Sequence, residues 1–366
     1  MLDVKVAVTH SAGAPFQIES VQMDDPQADE VLVKISAVGI CHTDMYAQSL
    51  AGLGFPAPIV LGHEGAGVVA KVGANVTKVQ AGDHVVLTFN SCGRCLNCED
   101  GAPAYCHNFP ALNFAGVRAD GSTTMQQNGT PIHGGFFGQS SFGTYAIANE
   151  RNIVKVPKDV PLELLGPLGC GIQTGAGSIM NALRPEAGSS IAIFGTGAVG
   201  MSAIMAVRAV GCGMIIGVDV KPNRLTLALE LGATHVVNAA ERDPVEAIRE
   251  LTGGGVRYSL EATGIVKVMR QAVDVLLPRG VCGVVGAPPP QAELPLDPNH
   301  LLFGRTVRGI IEGESVPDIF IPVLIDLYTQ GRFPFDKLIR QFPFEQINEA
   351  IHASESGEVL KPILVM

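Results

Sequence analysis

One segment of the chain, residues 190–219, restricts the possible folds more than any other. It opens with a short apolar run typical of a buried parallel strand, and three glycines with the spacing G-x-G-x-x-G follow. The next segment is apolar at almost every position, as in a helix packed on a sheet, and a second apolar run ends at Asp219. These features predict a strand–helix–strand unit whose helix begins at the glycines.

The three glycines, Gly195, Gly197 and Gly200, have separate roles in such a unit. The first allows a tight turn, the second lets the backbone approach a pyrophosphate, and the third lets the helix pack closely on the strand. Amide groups at the start of the helix then face the phosphates. The spacing alone is weak in a chain with 43 glycines, but the complete order of elements favours dinucleotide binding over a glycine-rich turn in an ordinary buried unit.

Asp219 predicts which dinucleotide is bound. A carboxylate at the end of the second strand accepts hydrogen bonds from the adenosine ribose hydroxyls, and its charge repels a 2′-phosphate, so the predicted cofactor is NAD. Residues 187–207 contain no charged residue and are long enough to span a bilayer. The glycines and the lack of a second such segment favour a buried core for them instead.

The length and charge of the chain limit its organisation and its partners. Its 366 residues are typical of two domains, and its net charge of −10 argues against a nucleic-acid surface. The first residues lack a basic region followed by an apolar stretch, so no signal peptide is predicted and a cytoplasmic location is expected. The expected partner is a small-molecule substrate, without nucleic acid or membrane.

The order of predicted elements separates a β-rich part from a part that alternates strands with helices. Residues 1–171 are predicted as the first part of a catalytic domain, residues 172–311 as a doubly wound parallel sheet that binds the cofactor, and residues 312–366 as a return to the catalytic domain. Residues 108–139 are expected to form an irregular surface excursion. Residues 161–183 are expected to form a helical bridge.

Four of the eight cysteines are crowded into fifteen residues with the spacing C-x2-C-x2-C-x7-C. Four thiolates on a short loop fit a tetrahedral structural zinc site, which leaves no position open for chemistry. Iron–sulfur and disulfide alternatives exist, but the last gap is longer than in bacterial ferredoxins and a reducing compartment disfavours disulfides. The four residues are Cys92, Cys95, Cys98 and Cys106.

Cys41, His63 and Cys170 are candidates for a second metal site. Each lies among small residues, and two cysteines with one histidine leave a fourth position for water or substrate, as a catalytic zinc requires. The alternative is that each is an ordinary core residue. Their spacing in the sequence does not decide between these two interpretations.

Several motifs occur in the order found in a known family. They are Gly39-Ile40-Cys41-His42-Thr43-Asp44, Gly62-His63-Glu64-x2-Gly67-x-Val69, the four-cysteine segment and the three glycines. The chain resembles the zinc-dependent medium-chain alcohol dehydrogenases over essentially its whole length. Residues 136–142 and 161–175 are similar to the aryl-alcohol (benzyl alcohol) dehydrogenase branch. The resemblance implies an α/β protein, with a doubly wound Rossmann cofactor domain and a β-rich, GroES-like catalytic domain.

The resemblance also implies a catalytic zinc bound by the three candidate ligands, Cys41, His63 and Cys170. Glu64 matches a carboxylate that lies beside the metal or binds it transiently, and Asp44 matches the one that orients the zinc-bound histidine. Thr43 matches the hydroxyl that takes the alcohol proton. Many relatives carry a histidine where this chain has Tyr46, and tyrosine is a poor base at neutral pH, so the end of the proton relay stays open between water and His42.

Further residues match positions beside the cofactor or the substrate. Arg224 matches a basic residue next to the adenosine ribose, and Lys361 matches one near the pyrophosphate. His42 occupies a position that also touches the pyrophosphate in relatives. Phe89 matches an aromatic residue of the substrate pocket.

The activity that the resemblance implies is reversible oxidation of aromatic primary alcohols, of the benzyl alcohol type, to aldehydes with hydride transfer to NAD. Two zinc ions per chain are expected, one catalytic and one structural. An allylic terpenoid alcohol such as geraniol is the alternative substrate, and a non-catalytic nicotinamide-binding sensor with one zinc is the alternative of a different class. The family forms dimers and tetramers, so a homo-oligomer is expected by analogy.

Overall fold

A computed structural model describes residues Met1–Met366. Its β-strands are β1 (Leu2–Thr9), β2 (Gln17–Met23), β3 (Glu30–Gly39), β4 (Ile59–Val60), β5 (Glu64–Val72), β6 (His84–Leu87), β7 (Met125–Gln127), β8 (Thr130–Ile132), β9 (Tyr145–Asn149), β10 (Ile153–Lys155), β11 (Ser190–Phe194), β12 (Met214–Asp219), β13 (His235–Asn238), β14 (Val256–Glu261), β15 (Leu276–Val284), β16 (Thr306–Gly309), β17 (Ile339–Pro343) and β18 (Lys361–Val365). Its α-helices are α1 (His42–Ser49), α2 (Leu96–Glu99), α3 (Phe109–Phe114), α4 (Gly171–Gly177), α5 (Ala198–Val210), α6 (Pro222–Leu231), α7 (Pro244–Thr252), α8 (Val266–Asp274), α9 (Pro298–Leu302), α10 (Pro317–Thr329) and α11 (Ile347–Ser356).

The second half of the chain contains a six-stranded parallel sheet with the order β13-β12-β11-β14-β15-β16. The strands are added first on one side of β11 and then on the other, which makes the gap between β11 and β14 the topological switch point where such sheets bind ligands. Helices α5, α6 and α8 pack on its strands, and Ile193 and Phe194 are fully buried. The doubly wound sheet predicted from the sequence is confirmed.

The β-rich part contains two sheets. A five-stranded antiparallel sheet has the order β4-β1-β2-β7-β8, and a seven-stranded sheet has the order β10-β6-β5-β3-β18-β17 with β9 also paired to β3. Strand β18 runs antiparallel to β3, with Leu364 opposite Val38. The last predicted strand therefore lies against strands formed near the start of the chain, as expected for a β-rich domain to which the chain returns.

The chain divides into two compact units, each built from segments that are not continuous in the sequence. Unit 1 contains Met1–Gly171, Val316–Val323 and Asp336–Met366, and unit 2 contains Ile172–Ser315 and Leu324–Phe335. The boundary expected after residue 311 lies after Ser315 in this division, and helix α10 is divided between the two units.

Only part of residues 108–139 forms the predicted surface excursion: residues 119–122 and 128–131 are exposed, whereas residues 134–137 are buried. Strands β7 and β8 form a hairpin that extends the first sheet through β2, with Met125 opposite Met23. Met125 and Phe136 are only 1% and 0% exposed. Met125 is buried against β2 and Phe136 against the rings of Phe55, His63 and Phe114, and the local run of Gly, Asn and Phe does not reveal these distant contacts.

The helical bridge expected at residues 161–183 is only partly regular. Two 3₁₀ turns, Leu162–Leu164 and Gly166–Gly169, precede α4, and a π-helical turn, Ser178–Leu183, follows it. Residues 187–207, which are apolar enough to suggest a bilayer span, are divided between β11 and α5. None of the helices is both long enough and apolar enough to cross a membrane.

Candidate active site

Four potential metal ligands from three distant segments of unit 1 meet in one cluster. The ligand atoms of Cys41, His63, Glu64 and Cys170 all lie within 4.8 Å of one another. Cys41 immediately precedes α1, His63 and Glu64 stand at the start of β5, and Cys170 links a 3₁₀ turn to α4. His63 and Glu64 are fully buried, and Cys170 is 8% exposed.

Asp44, in the first turn of α1, holds two of these ligands in place. Its Oδ1 accepts hydrogen bonds from His63 Nδ1 at 2.8 Å and from the Gly62 amide at 3.1 Å, and its Oδ2 accepts one from the Cys41 amide at 3.0 Å. Burial favours the neutral imidazole, but the charge of Asp44 outweighs it and raises the pKa of His63 well above its usual value. Such a carboxylate fixes the ring orientation and increases the basicity of a metal-binding histidine.

The other ring nitrogen of His63 makes the cluster suitable for a cation. His63 Nε2 is buried and has no hydrogen-bond partner, although buried polar atoms are nearly always paired. The hydrogen bond from Cys170 holds the pKa of Cys41 well below its usual value, against the effect of burial, which favours the thiolate that binds metals. One imidazole and two thiols match the protein ligands of a catalytic zinc site.

Glu64 and Lys361 form a buried ion pair beside this cluster. Lys361 Nζ lies 2.9 Å from both carboxylate oxygens of Glu64 and donates to the Ile40 carbonyl at 3.2 Å. Burial raises the pKa of Glu64 to about 7, although Lys361 opposes this shift. Burial would lower the pKa of Lys361, but the charge of Glu64 raises it above its usual value. All three ammonium donors are used, so in this arrangement none remains for the pyrophosphate that the resemblance assigned to Lys361.

The remaining residues matched on α1 differ in their contact with the cluster. Thr43 Oγ1 is 3.7 Å from Cys41 Sγ and is half-buried, while His42 is exposed at the first position of the helix. Tyr46 is 48% exposed and packs edge-to-face on Phe55. Thr43 is therefore the hydroxyl nearest to the metal ligands among these residues.

An aromatic wall of phenylalanines from three segments of unit 1 borders His63. The Phe137 ring stacks on the imidazole with centroids 4.4 Å apart, and Phe136 meets it edge-on at 5.6 Å. Phe89, the residue matched to the substrate pocket, is buried two rings away, since it packs on Phe109 and Phe109 packs on Phe137. Of the two rings that contact the candidate zinc ligand, Phe137 is the one that stacks on it.

The four cysteines of the predicted structural site also meet in one cluster. Their sulfur atoms lie within 4.8 Å of one another, with 3.5 Å between Cys95 and Cys98 and 4.0 Å between Cys92 and Cys98. A zinc–sulfur bond of about 2.3 Å gives a tetrahedron with edges of about 3.8 Å. A hydrogen bond from the Arg94 amide lowers the pKa of Cys92 to about 6. All eight cysteines are free, and the spacing fits four-sulfur coordination of zinc.

The glycines after β11 have the geometry that a dinucleotide-binding turn requires. Gly195 has a φ of +88°, which favours glycine, and a side chain at Gly200 would come within 1.8 Å of the Gly195 carbonyl. A side chain at Gly197 would meet nothing within 4 Å, so the backbone there is open to a ligand. Helix α5 begins directly after Gly197 and points its first amides at this opening.

Asp219 is tied to the same turn. Its Oδ2 accepts hydrogen bonds from the Thr196 amide at 2.8 Å and hydroxyl at 3.0 Å, and its Oδ1 accepts from the amides of Val220 and Lys221. Arg224 Nη1 lies 3.9 Å from this carboxylate, and its buried Nε has no partner. The structure therefore brings Asp219, Arg224 and the glycine turn together at the carboxyl ends of β11 and β12.

Comparison with known proteins identifies the family. Residues 27–158 match the family described as the alcohol dehydrogenase GroES-like domain, and residues 198–329 match the one described as zinc-binding dehydrogenase. A geraniol dehydrogenase from Castellaniella defragrans is 49% identical over 100% of this chain and 98% of its own length. The chain belongs to the zinc-dependent medium-chain alcohol dehydrogenases.

Solved structures of other family members are similar over their whole lengths. An alcohol dehydrogenase zinc-binding domain protein from Burkholderia ambifaria is 56% identical with a TM-score of 0.98, and the match covers 100% of this chain and 99% of that one. The benzyl alcohol dehydrogenase from Acinetobacter calcoaceticus is 48% identical with a TM-score of 0.96, and the match covers 100% of both chains. The family and fold that the sequence motifs implied are confirmed.

This dehydrogenase also contains site residues that its sequence motifs do not single out. Gln139 is fully buried and donates to the His63 carbonyl at 2.9 Å. Glu261, at the end of β14 beside the switch point, is fully buried and accepts from the amides of Thr263 at 2.6 Å and Gly264 at 3.0 Å. Burial raises the pKa of Glu261. Each residue has one signal in the sequence that could have pointed to it. Glu261 is a polar residue in an apolar strand, and Gln139 is a polar residue in a phenylalanine-rich segment.

Proposed function

We propose that this chain is an NAD-dependent, zinc-dependent alcohol dehydrogenase that reversibly oxidises aromatic primary alcohols of the benzyl alcohol type to aldehydes. The observation that supports the proposal is the cluster of Cys41, His63 and Cys170, in which His63 Nε2 has no partner and two sulfur atoms lie close to it. A catalytic zinc takes three such protein ligands and keeps one position open, and Glu64, the fourth member of the cluster, is paired with Lys361. The four-cysteine loop is proposed to hold a second, structural zinc. A non-catalytic sensor would need only that loop.

The chemistry divides between the metal, the cofactor and the side chains. A zinc ion bound at the cluster supplies a Lewis acid that makes deprotonation of an alcohol possible near neutral pH. Thr43, whose hydroxyl lies 3.7 Å from Cys41 Sγ, is proposed to take the alcohol proton and pass it to water or to the exposed His42. Asp44 keeps His63 in its binding orientation, and the buried Glu64–Lys361 pair limits net charge around the ligands.

The aromatic wall supports a flat, conjugated substrate. Phe137 stacks on His63 with centroids 4.4 Å apart and is proposed to contact the substrate ring, while the fully buried Phe136 supports it from behind. Aromatic pairs gain about 0.5–1.5 kcal/mol beyond the burial of their surface. A benzylic ring benefits from these contacts, whereas a short aliphatic alcohol such as ethanol does not.

A specific observation also favours a second candidate substrate. The curated relative that is 49% identical is a geraniol dehydrogenase, while the solved relative at 48% is a benzyl alcohol dehydrogenase. Geraniol is an allylic primary alcohol, and its flat double bond fits an aromatic wall as a benzene ring does. The allylic terpenoid alcohols are therefore the alternative substrate class.

NAD, rather than NADP, is proposed as the hydride acceptor because the negative charge of Asp219 lies beside the glycine turn, where the adenosine ribose is expected to bind. The Asp219 carboxylate lies there, and a 2′-phosphate would meet its negative charge. Arg224, with an unpartnered Nε, is proposed to contact the adenosine ribose.

A kinetic panel tests the proposal. Values of kcat/KM for benzyl alcohol, geraniol and ethanol are measured with NAD and with NADP, together with zinc content. We expect two zinc ions per chain, a preference for NAD, and the highest value for benzyl alcohol. A higher value for geraniol would favour the alternative substrate class, and one zinc per chain without turnover would favour the sensor.

A homo-oligomer, either a dimer or a tetramer, and a cytoplasmic location are proposed from the family resemblance. Sedimentation equilibrium of the purified protein tests the first. Cell fractionation tests the second, and a monomer or a periplasmic protein would contradict the respective proposal.

A further inference from the structure

Residues 136–142 form an irregular strap across the segment that leads into His63. Phe137, Gly138 and Ser140 have φ values of 50°, 63° and 47°, a region that non-glycine residues rarely adopt. The strap is held by hydrogen bonds from the Ser141 amide to the Gly62 carbonyl at 2.9 Å and from Ser140 Oγ to the Val60 carbonyl at 2.6 Å. Such a conformation persists only where the surroundings impose it.

Gln139 stands at the centre of the strap with every hydrogen-bonding position of its amide used. Nε2 donates to the carbonyls of His63 at 2.9 Å and Thr88 at 3.1 Å. Oε1 accepts from the Gly65 amide at 3.3 Å and from Ser141 Oγ at 3.0 Å. Because its partners include two carbonyls on one side and an amide on the other, only one orientation of the side-chain amide satisfies them.

These bonds connect the backbone at two of the proposed zinc ligands. His63 is bonded directly through its carbonyl. Thr88, which accepts from Gln139, donates through its hydroxyl to the Gly169 carbonyl at 2.7 Å, and Gly169 immediately precedes Cys170. Gln139 and Thr88 are both fully buried, so water does not compete for these bonds.

We propose that Gln139 is a positioning residue that fixes the spacing of His63 and Cys170 and thereby sets how tightly their zinc is held. The inference rests on the proposed zinc site. Gln139 acts through the backbone of the ligands and touches neither substrate nor cofactor. Residues that orient metal ligands in this way change metal affinity by about 10- to 100-fold when they are replaced.

The test is Gln139→Glu, which keeps the shape of the side chain but places an oxygen against two carbonyl oxygens. The measurement is the rate of zinc release from the purified protein to a coloured chelator, at a temperature well below the melting point of each variant. We expect one of the two zinc ions to leave at least about tenfold faster than in the wild type, while the other leaves at the wild-type rate.

Asn113→Asp is the matched control. Asn113 is also fully buried in unit 1, and its amide bonds to both backbone groups of Asn90 and to the Phe109 carbonyl at 2.8 Å, without a hydrogen bond to Cys41, His63 or Cys170. We expect this variant to lower Tm and to leave the release of the zinc at Cys41, His63 and Cys170 unchanged. Gln139→Glu with a lowered Tm and wild-type release rates would overturn the proposal, because Gln139 would then only support packing.

Thr88→Val is a second variant that decides the matter if Gln139→Glu does not fold. It removes the hydroxyl that holds Gly169 and keeps the carbonyl that Gln139 contacts. Faster release of one zinc supports the link to Cys170, and an unchanged rate contradicts it. A wild-type protein that holds a single zinc would instead contradict the proposed function, so the two failures are distinguishable.

Discussion

Replacing Asp44 with asparagine is expected to weaken zinc binding at the cluster of Cys41, His63 and Cys170. The carboxylate accepts three hydrogen bonds, from His63 Nδ1, the Gly62 amide and the Cys41 amide. Asparagine keeps the shape but has only one oxygen. Its best orientation keeps that oxygen on His63 and Gly62 and turns the amino group towards the Cys41 amide, where two donors then face each other.

The size of the effect follows from these contacts. The variant loses the negative charge beside the imidazole and one bond to the backbone at Cys41. A hydrogen bond to a charged group contributes about 1.5–3 kcal/mol, and about 1.4 kcal/mol corresponds to a tenfold change in affinity. The expected loss is therefore about 10- to 100-fold in zinc affinity, the range typical of residues that orient metal ligands.

Competition with a chelator of known affinity measures this loss, and the zinc proposed for the four-cysteine loop would provide an internal reference. Asp83→Asn is the control, because Asp83 is also a buried carboxylate but accepts from the Gln80 amide at 3.0 Å and pairs with Lys155 at 2.8 Å. We expect Asp83→Asn to leave both affinities unchanged. Equal zinc affinity in Asp44→Asn and the wild type would refute the idea that Asp44 orients the ligands.

Further predictions concern other parts of the chain. Cys98→Ser removes one corner of the four-cysteine cluster, so metal analysis is expected to find one zinc fewer per chain and calorimetry a lower Tm; unchanged zinc content would reject the site. Phe137→Leu is expected to reduce kcat/KM for benzyl alcohol relative to ethanol by about 2- to 10-fold, whereas Phe89→Leu, two rings from His63, is expected to have a smaller effect. Asp219→Asn removes the charge that a 2′-phosphate would meet, so the NAD/NADP ratio of kcat/KM is expected to fall at least about tenfold, and a constant ratio would count against the assignment. Burial raises the pKa of Glu261 above its value in the unfolded chain, so the contribution of this residue to stability is present at low pH and is lost as the pH rises from about 4. The Tm of Glu261→Gln minus that of the wild type should therefore increase with pH. A difference that stays constant with pH would contradict this reasoning.

The cofactor domain is predictable because its determinants are local in the sequence. The apolar run of β11, the three glycines and the apolar α5 lie within a few residues of one another, and each glycine has the expected geometry. The close approach of Gly200 to the Gly195 carbonyl follows from the same spacing. The signal for such short, periodic segments lies in their own residues, so their type can be predicted without knowledge of their distant contacts.

The cluster of candidate metal ligands is predictable only through the family motifs, and some of its surrounding residues are not revealed by them. Cys41, His63 and Cys170 are brought together by strands and turns far apart in the sequence, so spacing does not unite them. The composition of the strap around Gln139 is typical of a surface segment, so it does not predict burial. The left-handed backbone at Phe137 and Ser140 leaves no signal in the composition either. The Glu64–Lys361 pair, 297 residues apart in the sequence, cannot be inferred from either residue alone.

The position of β18 has a consequence for synthesis of the protein on the ribosome. Lys361 is made 297 residues after Glu64, an interval of about 15–60 s at about 5–20 residues per second. Throughout that interval the edge of β3 that pairs with β18 stays uncovered, and an open strand edge is a template for pairing with other chains. Ile172–Ser315 emerges before β18 and includes the whole parallel sheet. During synthesis the unit that contains the parallel sheet can therefore fold first, while the β-rich unit keeps an open strand edge, and with it a risk of aggregation, until β18 is made.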